Sequence, residues 1–145
     1  MHPIERLRYV AQATGADPGI LVRETAMALQ DLQIEPAGLL LACRRIVERH
    51  PTVGPLWWLC ARLLSSSTPF DVAEQLATDI AQDPSAGHLA DALPVDATLC
   101  VVGWSPAAMQ AAILRGDCRV LVVDSYGDAQ AAVNALERAD VSVEY

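Results

Sequence analysis

At Pro94 the hydrophobic pattern of this 145-residue chain changes period, and that change constrains the fold more than any other feature. Before it, apolar residues recur at helical spacing between prolines. After it, short runs rich in Val alternate with helical stretches. This order predicts an α/β protein: an N-terminal helical bundle over residues 1–93, then a partial Rossmann-like unit over residues 94–145 with three parallel strands.

Proline punctuates the first part. Ile4, Leu7 and Ala11 share one face of a first helix that stops near Gly15. Asp17-Pro18 combines a capping residue with proline at the first helical position, and Leu21, Thr25, Ala28, Leu29 and Leu32 then form one stripe. After Glu35-Pro36, the apolar face is Leu39, Leu40, Cys43, Ile46 and Val47, opposite Arg44, Arg45, Glu48 and Arg49; His50-Pro51 ends that helix. Residues 53–64 are apolar nearly all round, which predicts a helix in the middle of the bundle with one of Trp57 and Trp58 in the core. Thr68-Pro69 caps another helix with Val72, Ala73, Leu76, Ile80 and Ala81 inward, and residues 84–93 form one more.

In the second part, Thr98–Val102, Arg119–Val123 and residues 141–145 read as strands. Helices over 106–115 and 128–139 separate them, with Gly116 placed for a left-handed cap. Runs apolar throughout predict strands covered on both faces. A third strand at the end of the chain leaves an open edge, and the expectation is a truncated relative of a larger fold.

Charge divides the chain as well. Residues 1–67 carry seven arginines against six acids, residues 68–145 three against twelve. A duplex binder needs a positive face, so nucleic acid is not expected as a partner. Lysine is absent, which removes Schiff-base and phosphate-loop lysine chemistry. No apolar run is long enough to span a membrane and no signal-peptide layout opens the chain, so the expected location is cytoplasmic. Cys43, Cys60, Cys100 and Cys118 have neither Cys-x-x-Cys spacing nor a histidine at ligand spacing. They read as buried, reduced thiols, with no metal and no cofactor expected, and Cys100→Ser is expected to cost about 1–3 kcal/mol in a buried strand.

Candidate site residues sit where an open parallel sheet keeps its binding crevice, at the carboxyl ends of the strands. The first strand runs into Gly103-Trp104-Ser105-Pro106, where Ser105 caps the next helix; the amides behind it suit an anion, and the same residues also suit a capped helix start with no ligand. Pro106 contributes no amide, and one glycine stands where a dinucleotide fingerprint has three. Asp124 and Ser125 close the second strand, where dinucleotide folds hold ribose; the same residues with Tyr126 and Gly127 also suit a plain polar turn. His2, His50 and His88 lack triad or metal spacing.

The order of parts resembles the family uniting the alpha, beta and delta subunits of eukaryotic initiation factor 2B with methylthioribose-1-phosphate and ribose-1,5-bisphosphate isomerases. The likeness is carried by Leu39-Leu40-Leu41-Ala42 through Pro51-Thr52-Val53, by residues 96–105, by the Asp124-Ser125 strand ending, and by Ala139-Asp140-Val141-Ser142-Val143. The isomerases have a catalytic Cys in a Thr-His-Cys-Asn-Thr turn where this chain reads Val101-Val102-Gly103-Trp104-Ser105, and Tyr126-Gly127 replaces their phosphate-holding Arg-Pro. The resemblance therefore implies a non-catalytic regulatory or assembly module, a homo-oligomer or a protein partner, with a phosphorylated sugar or nucleotide as candidate ligand at Ser105, Asp124 and Ser125. Alternatives are a sugar-phosphate isomerase-like enzyme completed by a missing segment or partner, and a purely structural interaction module.

Overall fold

The computed structural model describes residues 2–13, 16–32, 35–125, 127 and 129–145. Among these, the elements are α1 (Pro3–Gln12), α2 (Pro18–Leu32), α3 (Pro36–Arg49), α4 (Gly54–Leu64), α5 (Pro69–Ala81), α6 (Ser85–Ala92), β1 (Thr98–Val102), α7 (Pro106–Arg115), β2 (Arg119–Val123), α8 (Ala129–Arg138) and β3 (Ser142–Glu144). The expected helix end at Gly15 and the expected start at Asp128 lie outside the described residues. The chain forms two compact units, residues 1–82 and 83–145.

In the first unit α2 is the hub, packed by α1, α4 and α5. Asp17 Oδ1 accepts the amides of Gly19 and Ile20 at 2.7 and 3.2 Å, which satisfies two donors that the helix start would otherwise leave unpaired. The stripe of Leu21, Thr25, Ala28 and Leu29 is buried as expected. Among the described residues the Thr25 hydroxyl finds no partner. In α1 the buried residue is Val10, whereas Ile4 is exposed. His50 Nε2 donates to the Val10 carbonyl and Arg49 Nε to the Ala11 carbonyl at 2.9 Å, so the end of α3 holds the end of α1. Arg6 adds a 3.0 Å ion pair with Glu24.

The all-round apolar helix is not central. Leu56, Leu59, Cys60 and Leu63 of α4 are buried, but Trp57 and Trp58 are 50% and 40% exposed. Each indole is held at the surface instead: Trp57 Nε1 donates to the Pro51 carbonyl at 3.1 Å, and the Arg62 guanidinium lies 5.9 Å over the Trp58 ring.

In the second unit the sheet has order β1-β2-β3, all parallel, with Thr98 level with Arg119 and Ser142, and Cys100 level with Leu121 and Glu144. Side chains alternate across it. Leu99, Val101, Val120, Val122 and Val143 turn inward and pack with α8, whose Ala132, Val133 and Leu136 are buried. The other face carries Cys100, Val102, Leu121 and Val123, with Val102 65% and Val123 47% exposed. This corrects the expectation of a sheet covered on both faces. A strand order that advances one way, with crossovers of one hand, lays both connecting helices on the same side. Cys100 is thus exposed rather than buried, while Cys43, Cys60 and Cys118 are buried. Cys100→Ser is now expected to change stability by no more than about 0.5 kcal/mol, checked by thermal melts; a loss above about 1 kcal/mol would contradict the exposed placement.

The second unit begins before the strands. Arg115, at the end of α7, donates through Nη1 to the carbonyls of Ala90 (3.2 Å) and Leu93 (2.6 Å) and through Nη2 to that of Pro94 (3.2 Å). Asp117 holds the same guanidinium with bonds of 2.9 and 2.7 Å and accepts the Asp96 amide at 3.3 Å. The carbonyls at the end of α6 are therefore satisfied from within residues 83–145, and α6 groups with the strands rather than with the bundle that ends at Gln82.

The Arg115 hydrogen bonds, then the Asp96 amide, hold the Asp117 carboxyl far below the usual carboxylate range. A depressed folded-state value means the contribution is present above the unfolded value of about 3.9 and is lost as pH falls below it. The stability gap between the parent and Asp117→Asn should therefore be full at pH 7 and shrink below about pH 4, measured by melts across pH. A gap that does not change with pH would contradict it.

Candidate functional site

The carboxyl ends of β1 and β2 meet at Gly103. Its amide donates to the Val123 carbonyl at 2.8 Å, extending the strand pairing by one step. Its φ of 64° lies in the left-handed region, and a Cβ there would sit 3.2 Å from the Ser125 Cβ. Glycine thus serves twice, for the turn and for the close approach of Ser125.

Ser105 occupies the N-cap position of α7 with extended backbone (φ −103°, ψ 102°), yet its hydroxyl makes no capping bond. The helix start is set by Pro106 at the first helical position and by the Ser105 carbonyl, which accepts the Met109 amide at 3.0 Å. The expectation that the Ser105 side chain caps α7 is corrected accordingly. Asp124 turns the other way: Oδ1 accepts the Ala129 amide at 3.2 Å, so the carboxylate caps α8. Ser125 lies against the Gly103 turn and is half-buried. Among the described residues no hydrogen bond joins Ser105 to Asp124 or Ser125. Tyr126, which belongs to the expected polar turn, lies outside the described residues.

These positions offer hydroxyls from Ser105 and Ser125, the amides of the first turn of α7, and a partly used carboxylate. Donors of this kind bind an anion or a sugar hydroxyl. A nucleophile paired with a base is a different arrangement, and Cys100, the nearest thiol in sequence, sits on the open sheet face. Because Ser105 makes no cap bond, Ser105→Ala should shift stability by a few tenths of a kcal/mol at most, against the roughly 1 kcal/mol expected of a true cap. Urea denaturation of both chains measures this, and a full cap-sized loss would contradict the geometry.

Sequence reasoning missed the open face formed by Cys100, Val102, Leu121 and Val123. Its signal was available in the connectivity, since two successive crossovers in one direction leave one face bare. Two further concave sites lie in the first unit. One groove of about 660 Å³ is lined by Leu39, Leu40, Leu63, Leu64 and Phe70. The other, of about 500 Å³, is lined by Ile20, Arg23, Met27, Gln30 and Glu74. No group of three His, Cys, Asp or Glu side chains converges as a metal site among the described residues, and no helix is long and apolar enough to cross a membrane.

Solved structures of translation initiation factor eIF2B proteins share this architecture. The Pyrococcus horikoshii OT3 translation initiation factor eIF-2B matches 98% of this chain at 16% identity and a TM-score of 0.65. The eIF2B delta from Chaetomium thermophilum matches 99% at 16% identity with a TM-score of 0.54. The tetrameric eIF2B-beta2-delta2 complex of C. thermophilum matches 99% at 17% identity with a TM-score of 0.56. The matched segments make up 58%, 66% and 58% of those longer chains. No family model and no curated protein matches the sequence. At this identity the likeness establishes the fold: the chain has the eIF2B-type arrangement of helices followed by a parallel α/β unit.

Proposed function

We propose that the chain is a non-catalytic assembly module on an eIF2B-type fold, and that it associates with a second copy of itself through the bare face of its sheet. The observation that carries this is the exposure of Cys100, Val102 and Val123, with Leu121 half-buried beside them, on a parallel sheet whose opposite face is packed. Parallel sheets are ordinarily covered on both sides, and a row of exposed aliphatic side chains favours a partner by about 25 cal/mol per Å² removed from water. A second copy suits the face because one rim carries both signs: Arg119 Nε lies 3.8 Å from Glu144 Oε1, both residues largely exposed. A two-fold mate can exchange that pair, as a self-complementary patch must. The C. thermophilum neighbour, a tetramer of beta and delta subunits, supports an assembling role for this fold. Work in the cytoplasm accords with it.

A second reading concerns a ligand. The Ser105 hydroxyl, free of any capping bond, and Ser125 against the Gly103 turn favour weak binding of a phosphorylated sugar or nucleotide, with Asp124 toward the sugar. The net negative charge of this half of the chain opposes anions, which sets the expected affinity in the high-micromolar range or weaker.

Light scattering over a concentration series tests the first reading. A dimer or larger species is expected, and a monomer at high micromolar concentration would reject it. If the chain remains a monomer alone but co-purifies in defined stoichiometry with another protein, the partner is not a second copy. Calorimetry with sugar phosphates and nucleotides, on the parent and on Ser105→Ala, tests the second. Equal heats in both would remove Ser105 from the site.

A further inference from the structure

At the groove formed by the start of α3, the end of α4 and the start of α5, apolar side chains converge without being buried. The floor is core, since Leu39 and Leu63 belong to the buried cluster. The walls are not: Leu40 and Leu64 are 44% and 42% exposed, and Phe70, the chain's one phenylalanine, is half-buried. A volume of about 660 Å³ lies in the range of small-molecule sites, which are concave, mostly apolar and oriented by a few polar groups. The polar groups here follow one another along residues 66–71. Ser66 Oγ accepts the Thr68 amide at 3.1 Å, and the Thr68 carbonyl accepts the Asp71 amide at 3.1 Å, so the segment is shaped by its own bonds. Thr68, expected from sequence to cap α5, makes no side-chain capping bond. Asp71 is the one charged residue on the groove, and among the described residues its carboxylate has neither a hydrogen-bond nor an ion-pair partner.

We propose that this groove binds a small hydrophobic amine, its apolar body against Leu40, Leu64 and Phe70 and its ammonium at Asp71. Charge decides the sign of the ligand. The start of α5 brings about half an elementary positive charge, which by itself favours an anion. Pro69 has no amide to offer, however, and the Asp71 amide is already used, whereas the Asp71 carboxylate carries a full negative charge. The hydrogen-bonding count agrees with a cation. The carboxylate and the hydroxyls of Ser67 and Thr68 supply acceptors, and a primary ammonium brings three donors and no acceptor. Because Asp71 is exposed, the ion pair adds only about threefold to fivefold in affinity, and less in high salt. The apolar body supplies the rest. Each methylene adds about fourfold when fully buried and about twofold when half covered.

The test titrates the isotope-labelled full chain at pH 7 with hexylamine, butylamine, hexanol and hexanoate. NMR follows the methyl signals of Leu40 and Leu64 and the ring of Phe70. Hexylamine should move these signals saturably and bind about fourfold to sixteenfold tighter than butylamine. Hexanol should bind about threefold to fivefold more weakly than hexylamine, and hexanoate more weakly still. Asp71→Asn should bring hexylamine down to the level of hexanol and leave hexanol unchanged. If that variant does not fold, about 0.5 M sodium chloride on the parent supplies the same decision, because salt screens the ion pair and spares the apolar contact. Absence of a saturable shift at these residues, hexanoate binding as tightly as hexylamine, or equal affinity for hexylamine and hexanol overturns the proposal. All three signals belong to the first unit, so the result does not depend on whether the sheet face of the second associates.

Discussion

Val102→Asp should leave the folded chain as stable as its parent and still abolish association. Val102 is 65% exposed at the end of β1, so a carboxylate there stays hydrated in the free chain, and the expected change in stability is within about 0.5 kcal/mol. In a face-to-face assembly the same carboxylate would lose its water without gaining a cation. That costs roughly 3 kcal/mol or more, over a hundredfold in the association constant. Light scattering on dilution and parallel thermal melts read the two effects separately. Unchanged association would move the contact off this face, and a large fall in melting temperature would mean that Val102 packs inside the chain after all.

Leu136→Ala should have the largest effect on stability in the second unit. Leu136 is fully buried in α8, in the cluster that contains Val120, Val133 and Val141. Removing three carbons there loses the transfer free energy and leaves a cavity, together about 2–5 kcal/mol. A whole domain is typically stable by only about 5–15 kcal/mol, so urea denaturation followed on the second unit should shift well to lower concentration. The backbone bonds of this helix end, from Ala139 and Val141 to the Leu136 carbonyl, survive the change, so the loss measures packing alone. A loss below about 1 kcal/mol would mean the cavity collapses or the site is not closed.

The proline positions account for much of what the sequence made legible. Pro18, Pro36, Pro69 and Pro106 each stand at the first position of a helix, and β1 and β2 occupy the spans that their apolar runs predict. Proline fixes φ and lacks an amide, so this signal is local and survives any packing. What failed was whatever depends on a third element. Val102 and Val123 look as apolar as Val101 and Val122, and only the placement of α7 and α8 separates exposed from buried. Trp57 and Trp58 misled for the same reason. At the candidate site, sequence placed Ser105 at the start of α7 and Asp124 at the end of β2 correctly. It assigned the capping role to Ser105, whereas Asp124 performs one for α8 because its carboxylate reaches the Ala129 amide. A side chain's choice of partner rests on rotamer and neighbour, which spacing does not encode.

The Arg115 junction bears on how the polypeptide can be divided. A fragment begun at residue 94, where the hydrophobic period changes, would strip Arg115 of the Ala90 and Leu93 carbonyls it binds. A fragment begun at Asp83 keeps the whole junction, including α6, and removes no buried partner of α7 from its own unit. A protease acting on the intact protein should follow the same logic. The backbone around residues 82–84, exposed and outside the Arg115 bonds, is the place to expect a first cut, and the 93–97 stretch, tied down by Arg115 and Asp117, should resist longer.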